Sequence, residues 1–211
     1  MNIKCMAEDS DGQIILGTVK GLLKYNPTDG SISRAYPALN DEICISVFRD
    51  SRSRIWVGTF HHGCWCIDGE RLTHYYRQGL PSLDESYRSG TRNPNCVRSF
   101  HEDENGKIHV CVYGDVGAVN EENGRIEIFV SEIHPEVERF MLTRNIHRID
   151  NCVAVFSDNG TYLFHPERDS IIVDTADVTM NMPSIQGLTD SRGLVWTAGA
   201  YGLKVSGKDF T

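Results

Sequence analysis

The sequence predicts an all-β protein built from repeated four-stranded antiparallel units, and three observations support this prediction. Short glycine-led apolar segments recur at intervals of about 42 residues, with one longer interval of about 54. An Asp-rich turn followed by an apolar run precedes four of these glycines. Helical periodicity is absent over long windows. Four antiparallel strands in such a period are typical of a β-propeller blade, so we predict about five blades. The repeated glycines are Gly21, Gly63, Gly117, Gly160 and Gly202.

Each repeat is predicted to contain four short strands in chain order. In the second repeat, Ile43, Ile45 and Val47 alternate with other residues as a first strand. The Asp-rich turn that follows suits a hairpin. The run Ile55-Trp56-Val57 supplies β-branched and aromatic residues for a second strand. A glycine-containing loop leads to the third strand, and a second turn leads to the fourth, Leu72 to Tyr76.

The repeat pattern also sets expected blade limits. The predicted blades span approximately residues 1–38, 39–80, 94–131, 144–175 and 182–211. Residues 205–211 match 67–73 position by position, but the second repeat then continues through its fourth strand. We therefore expect a truncated last blade and a segment of a larger propeller of the seven-bladed type. A five-bladed closure and the pairing of two copies are the alternatives, because an open array leaves sheet edges and blade faces uncovered.

Composition and charge exclude several functions. The chain has 21 Lys and Arg residues against 29 Asp and Glu residues, which gives a net charge of −8. This acidity argues against a nucleic-acid groove and against a polybasic membrane contact. No stretch approaches the roughly 18 apolar residues of a membrane span, so we expect no direct membrane insertion of this segment. The seven cysteines are odd in number and include no Cys-x-x-Cys pair, so we predict small core residues.

One consensus runs through the repeats: D-x-x-G-x-I-W-x-G-T-x-x-G-L-x-x-Y, carried mostly by residues 14–25, 55–67 and 195–205. It resembles the two-component regulator propeller repeat, although the third repeat has His109 and Cys111 at motif positions and the fourth lacks the Asp-Gly turn. That repeat builds the extracytoplasmic sensor region of hybrid histidine kinases in glycan-degrading bacteria. The resemblance implies a periplasmic, non-catalytic ligand sensor without a cofactor, which responds to an oligosaccharide while the kinase lies outside this chain.

Candidate ligand-binding residues lie in the loops that share one face of a propeller, which join the second strand to the third and one blade to the next. Sugars need planar polar groups for their hydroxyls and aromatic faces for their C–H surfaces. Residues that suit a ligand in the strand-two-to-three loops are Lys20, His61, His62, Tyr113, Asp115, Asp158 and Tyr201. We predict no metal site, because the two adjacent histidines lack a readable third ligand and the Asp-rich turns lack the terminal Glu of an EF-hand.

Two other functions remain open. A protein-interaction scaffold could use the same loop residues, and a glycan-active enzyme is the other alternative. The segment Thr189–Trp196 is close to the Asp-box of sialidase-like propellers, but its Asp190 falls one position early. A glycosidase also needs two carboxylates across a pocket, or a tyrosine nucleophile with an arginine cluster, and the sequence does not reveal either arrangement. The expected partners are an oligosaccharide or other small ligand, the remaining blades and domains of a parent sensor, and in a dimer a second copy.

Overall fold

The computed structural model describes residues 2–78, 95–112, 115–128, 143–149, 152–157, 160–165, 170–172, 184–199 and 202–207. These residues form five antiparallel sheets that follow one another along the chain, which confirms the predicted all-β blades. Four sheets have four strands, and the fifth has three in its described part. Within every sheet the strands lie side by side in chain order.

The strands of each blade are consecutive. Blade 1 contains β1 (Ile3–Glu8), β2 (Ile14–Thr18), β3 (Gly21–Tyr25) and β4 (Ile32–Ala35). Blade 2 contains β5 (Cys44–Arg49), β6 (Ile55–Thr59), β7 (Cys64–Asp68) and β8 (Arg71–Tyr75). Blade 3 contains β9 (Val97–Glu102), β10 (Ile108–Val112), β11 (Asp115–Asn120) and β12 (Arg125–Ile128). Blade 4 contains β13 (Thr143–Ile149), β14 (Cys152–Ser157), β15 (Gly160–His165) and β16 (Ser170–Ile172). Blade 5 contains β17 (Ser184–Thr189), β18 (Val195–Gly199) and β19 (Gly202–Ser206).

A short 3₁₀ turn, Pro37–Leu39, lies between blades 1 and 2. Across the described ranges, no helix has the length and apolar character needed to traverse a bilayer.

In each of four blades, an Asp carboxylate closes the turn between the first and second strands. In blade 2, Asp50 Oδ1 accepts the backbone N–H groups of Arg52 and Arg54 at 3.0 and 2.8 Å. The same pair of bonds is made by Asp9, Asp103 and Asp190. The third residue after each Asp has a positive φ, and it is glycine except for Ser53 in blade 2. The Asp and Gly of the repeat motif are therefore explained by the turn itself.

The first strands of the blades lie next to one another around a common axis: β1, β5, β9, β13 and β17 each contact the next. Ser46 Oγ donates to the Val97 carbonyl oxygen at 3.0 Å, and the Ile146 N–H donates to Ser99 Oγ at 3.0 Å. Gly58 permits this close approach, because a Cβ atom there would lie 2.3 Å from the Val97 carbonyl oxygen. The glycine of the repeat motif thus lets the first strand of the following blade pack closely.

The apolar core lies between neighbouring blades. Trp56 of blade 2 is fully buried, and its ring centroid lies 6.2 Å from that of Phe100 in blade 3. Clusters between the other blades include Leu22 with Val57 and Ala154 with Val195. Each blade therefore buries its apolar face against the next one.

The first and last blades keep large apolar side chains exposed. Met6 in blade 1 is 65% exposed, and Leu203 in blade 5 is 64% exposed. Trp196 occupies in blade 5 the position that Trp56 occupies in blade 2, but it is only partly buried.

All seven cysteines are free thiols, and five of them are buried, in agreement with the predicted core role. Burial raises the pKa of Cys66 to about 12, even though the nearby Arg54 charge acts in the opposite direction. Burial also raises the pKa of Cys44 to about 12. Such thiols stay protonated at neutral pH and are poor nucleophiles.

We expect the buried thiols to react slowly with a thiol reagent such as DTNB while the chain is folded. A pKa near 12 lowers the thiolate fraction at pH 8 by about a thousand-fold relative to an ordinary cysteine. Cys5 and Cys152 are only half-buried, but burial also raises the pKa of Cys5 to about 12, so we expect Cys152 to be modified first. All seven should react quickly in guanidinium chloride. Rapid modification of more than two thiols in the folded chain would contradict the described packing.

Candidate functional site

Every first strand has a β-bulge at the same repeat position. In blade 2, Cys44 pairs with Thr59 and Ser46 pairs with Gly58, so Ile45 is left as the extra residue between them. A bulge turns the extra residue out of the regular alternation of the strand. The bulged residues of the five blades are Lys4, Ile45, Arg98, Arg144 and Ile185.

Four of these bulged residues line one cavity of about 450 Å³. Lys4, Ile45, Arg98 and Arg144 come from the first strands of blades 1 to 4, so the cavity lies at the axis of the array. Apolar residues complete the described wall: Val19, Ile43 and Phe60. The volume falls within the range of about 300–1,000 Å³ that is usual for small-ligand sites.

The cavity is cationic in an acidic protein. Lys4, Arg98 and Arg144 place three positive charges around it, while the whole chain has a net charge of −8. The described lining contains no acidic side chain and no histidine. The wall therefore combines cations with apolar residues such as Ile45 and Phe60, which suits binding of a small polar ligand with an apolar face.

None of the predicted loop residues Lys20, His61 and His62 is part of the described lining, but they follow in sequence Val19 and Phe60, which line the cavity. Lys20 is exposed. His62 Nδ1 lies 2.9 Å from a carboxylate oxygen of Glu42.

His61 packs edge-on against Phe60, with ring centroids 4.7 Å apart. Burial and the adjacent His62 lower the pKa of His61.

Asp115 requires a correction. It was predicted to lie in a strand-two-to-three loop, but it is the first residue of β11 and is only 5% exposed. Its carboxylate accepts the Val116 backbone N–H at 2.9 Å. The remaining loop candidates, Tyr113, Asp158 and Tyr201, lie outside the described residues.

The Asp carboxylates that resemble calcium ligands in the sequence are used by the fold. Asp50 Oδ2 accepts the Trp56 Nε1–H at 2.9 Å and the Arg54 Nε–H at 2.6 Å. The equivalent pairs are Asp103 with His109 and Asp190 with Trp196. Within the described part of the chain, no group of three or more His, Cys, Asp and Glu residues could hold a metal ion.

Three histidines lie toward the opposite end of the first strands. His101 and His109 face each other across β9 and β10, with ring centroids 6.4 Å apart. His147 Nε2, in blade 4, accepts the Thr189 backbone N–H of blade 5 at 3.0 Å. Burial lowers the pKa of all three, and that of His101 falls to about 4.

The sequence-based prediction missed the three cations of the cavity. Lys4, Arg98 and Arg144 belong to strands, whereas the predicted candidates were all assigned to loops. The sequence does contain a signal for these cations. Each of the three is followed directly by a small or polar residue, such as Ser99 after Arg98, and Ser99 contacts the next blade. Aligning the first strands of the repeats would have placed these cations in one column.

Comparison with models of known protein families finds no match. Comparison with the sequences of curated proteins finds none either.

Similar solved structures include two extracellular domains from B. thetaiotaomicron that are described as parts of hybrid two-component systems. BT4673 gives a TM-score of 0.72 at 19% identity, over 97% of this chain and 27% of that chain. The domain of BT3049 gives a TM-score of 0.68 at 19% identity, over 93% of this chain and 26% of that chain. The chain thus spans about a quarter of the length of these extracellular domains.

An enzyme has a similar structure as well. Virginiamycin B lyase from Staphylococcus aureus gives a TM-score of 0.65 at 12% identity, over 98% of this chain and 70% of that chain. The shared architecture therefore serves both sensor domains and a catalyst. The chain has the β-propeller fold that is also found in the extracellular domains of hybrid two-component systems.

Proposed function

We propose that this chain is a non-catalytic, ligand-sensing propeller segment of a periplasmic two-component sensor. Its ligand is an oligosaccharide bound in the axial cavity, and the signal passes to a kinase outside this chain. The likeness to extracellular domains of hybrid two-component systems supports the sensing role.

One observation carries the proposal: a single cavity is walled by residues of four blades. A ligand there would contact Lys4, Ile45, Arg98 and Arg144 together, so binding would tie the inner strands of those blades to one another. Phe60 offers an aromatic face for the C–H surface of a sugar ring. Such a ligand would stabilise the array as a whole, which is what a sensor needs in order to relay occupancy.

The cavity also supports a non-catalytic role. Glycoside hydrolysis requires a pair of carboxyl groups, or a tyrosine nucleophile with an arginine cluster, beside the scissile bond. The described lining has two arginines but contains no carboxyl group and no tyrosine.

The parent protein is proposed to continue the array. In blade 2, the face that carries Trp56 packs on blade 3, whereas the equivalent face of blade 5 exposes Leu188, Leu203 and Val205. A further blade or a second copy of the chain would bury these residues. A scaffold that binds proteins on its loop face is the alternative function.

A thermal-melt screen against plant and host oligosaccharides tests the sensing role. A true ligand at about 100 times its Kd should raise the melting temperature by about 5–10 °C. Phe60→Ala should remove most of this shift, while the matched change Tyr76→Ala, at an exposed aromatic outside the cavity, should leave it. The bound glycan should be recovered unchanged. No shift with any glycan would contradict the sensing role and favour the scaffold, and product formation would favour the enzyme.

A further inference from the structure

The geometry points to a ligand that carries an anionic group, a carboxylate or a sulfate ester, held in the axial cavity by Lys4, Arg98 and Arg144. This inference rests on the proposed function, since it specifies the chemistry of the oligosaccharide that the cavity would take. The shared chemistry is a negatively charged oxygen cluster on a sugar, which uronic acids and sulfated sugars both provide.

The three cations share one structural position. Lys4, Arg98 and Arg144 occupy the same bulge in three different blades and line one cavity. A bulge re-aims a single side chain without changing the rest of the strand. The repeat therefore uses one backbone device three times to bring a cation to the same place.

The fold does not require cations at this bulge. Blade 2 has Ile45 at the same position, and Ile45 lines the same cavity. Blade 5 also has an isoleucine there, Ile185. Because the repeat accommodates isoleucine at the bulge, turn and strand geometry do not explain three basic residues in the other blades.

The positive charges of the lining favour an anion in the cavity. Lys4, Arg98 and Arg144 come from three blades, and an anion bound among them would be attracted by all three. The charge of the cavity differs in sign from that of the whole chain, which is acidic and would repel an anion at long range.

Two of the three cations are arginines, and this side chain suits oxyanions. Arg98 and Arg144 each present a planar guanidinium fork, which matches the two oxygens of a carboxylate or a sulfate in bidentate geometry. Ile45 and Phe60 form an apolar part of the same wall and would contact the sugar ring itself. Charge and apolar surface together fit an acidic sugar better than a free inorganic anion.

The test compares matched pairs of probes by calorimetric titration with the whole 211-residue chain. One pair is tri-galacturonate and its methyl ester, and the other is a sulfated carrageenan tetrasaccharide and its desulfated form. We expect at least one anionic member to bind at least about tenfold more tightly than its neutral partner. Its affinity should fall by at least about tenfold between about 50 and 500 mM NaCl, because salt screens the charges. The pair that responds distinguishes a carboxylate from a sulfate.

Substitutions that copy the repeat itself locate the site. Arg98→Ile and Arg144→Ile introduce the residue that blade 2 has at this bulge, so both variants should fold. Each substitution should raise the Kd of the anionic probe by about ten- to a hundredfold. The control Arg71→Ile removes an exposed arginine from the outer strand β8 and should change the affinity by less than about twofold.

The outcomes separate the two proposals. Equal binding of neutral and charged probes, weakened by Phe60→Ala but not by Arg98→Ile, would overturn the anionic inference and leave the sensing role intact. Anion binding that is unaffected by Arg98→Ile and Arg144→Ile would overturn the assignment of the cavity. Absence of binding by every probe, together with a flat glycan screen, would overturn both proposals.

Discussion

Replacing Asp50 with alanine is expected to lower the free energy of unfolding by about 3–5 kcal/mol, the usual loss when one partner of a buried ion pair is removed. The Asp50 side chain is fully buried and holds the turn, the Trp56 indole and the Arg54 guanidinium. Burial by itself would raise the pKa of Asp50, but the hydrogen bonds from Trp56 and Arg54 outweigh it and keep the pKa below its ordinary value. Loss of the carboxylate would leave Arg54, which is 7% exposed, short of one partner.

The change should also loosen the contact between blades 2 and 3. Arg54 makes two further hydrogen bonds, of 2.8 and 3.1 Å, to the carboxylate of Glu121 in blade 3. Its guanidinium lies 5.0 Å from the centroid of the Trp56 ring. Asp50 therefore supports a group that spans the blade interface, and its removal is expected to affect both blades.

Asp190→Ala provides the matched control, because it removes the same turn carboxylate from blade 5. Asp190 binds Trp196 in the same way, but its arginine partner, Arg192, is 67% exposed. We expect Asp190→Ala to lower the free energy of unfolding by only about 1 kcal/mol, as for a capping residue on a surface turn. Urea unfolding of both variants gives the comparison. Equal losses in the two variants would contradict the role given to burial.

Acidification from pH 7 to about pH 4 is expected to lower the free energy of unfolding by about 2 kcal/mol through the histidines at the ends of the first strands. Burial, followed by the charges of His109, His147 and Arg148, lowers the pKa of His101 to about 4, while Asp103 acts in the opposite direction. The free pKa of histidine is about 6.5. Between these values the unfolded chain binds more protons than the folded chain, so stability falls as the pH falls.

His147 gives this effect a structural cause. Its Nε2 accepts the Thr189 backbone N–H and lies 3.0 Å from Thr189 Oγ1, so protonation would break the hydrogen bond from the N–H. Burial lowers its pKa as well. Acid should therefore weaken the contact between blades 4 and 5 together with the region around His101.

The variant His101→Phe tests this assignment, because Phe48 occupies the equivalent position in blade 2 opposite Trp56. Urea unfolding at pH 7 and at pH 4.5 gives the free energy of unfolding at each pH. The difference between the two values should be smaller in the variant than in the natural chain. The turn carboxylates titrate below about pH 4 and should not contribute much in this window. An unchanged pH dependence in His101→Phe would show that other groups are responsible.

The blade architecture could be predicted because its signals are local. Asp50 and the positive-φ residue after it define the hairpin within five residues. Contacts across strands could not be predicted in the same way. In blade 2, the Trp56 side chain donates a hydrogen bond to the turn carboxylate of Asp50. The equivalent residue in blade 1 is Ile15, whose side chain has no donor. Lys24 on the neighbouring strand forms an ion pair with Asp9 at 2.8 Å instead. This substitution depends on strand register, which the sequence does not specify.

The candidate residues in the loops stay a prediction, and the cavity adds three cations that the sequence-based prediction did not include. The cavity lies at the end of the array that carries the strand-two-to-three turns, since Val19 and Phe60 line it. Its cations come from bulges, and a bulge shifts the side-chain alternation by one residue. Arg98 therefore looked like an ordinary strand residue. Asp115 looked like a loop residue for the opposite reason, because the start of β11 depends on pairing with β10.

Ligand binding in the axial cavity can be tested by a crystal structure of the chain soaked with the anionic oligosaccharide that binds most tightly. We expect density in the cavity, with the carboxylate or sulfate oxygens within hydrogen-bond distance of Arg98 and Arg144 and a sugar ring against Phe60. The same map should show a bulge at Lys4, Arg98 and Arg144. Ligand density on the outer loops away from these residues, or first strands without bulges, would contradict the proposed site.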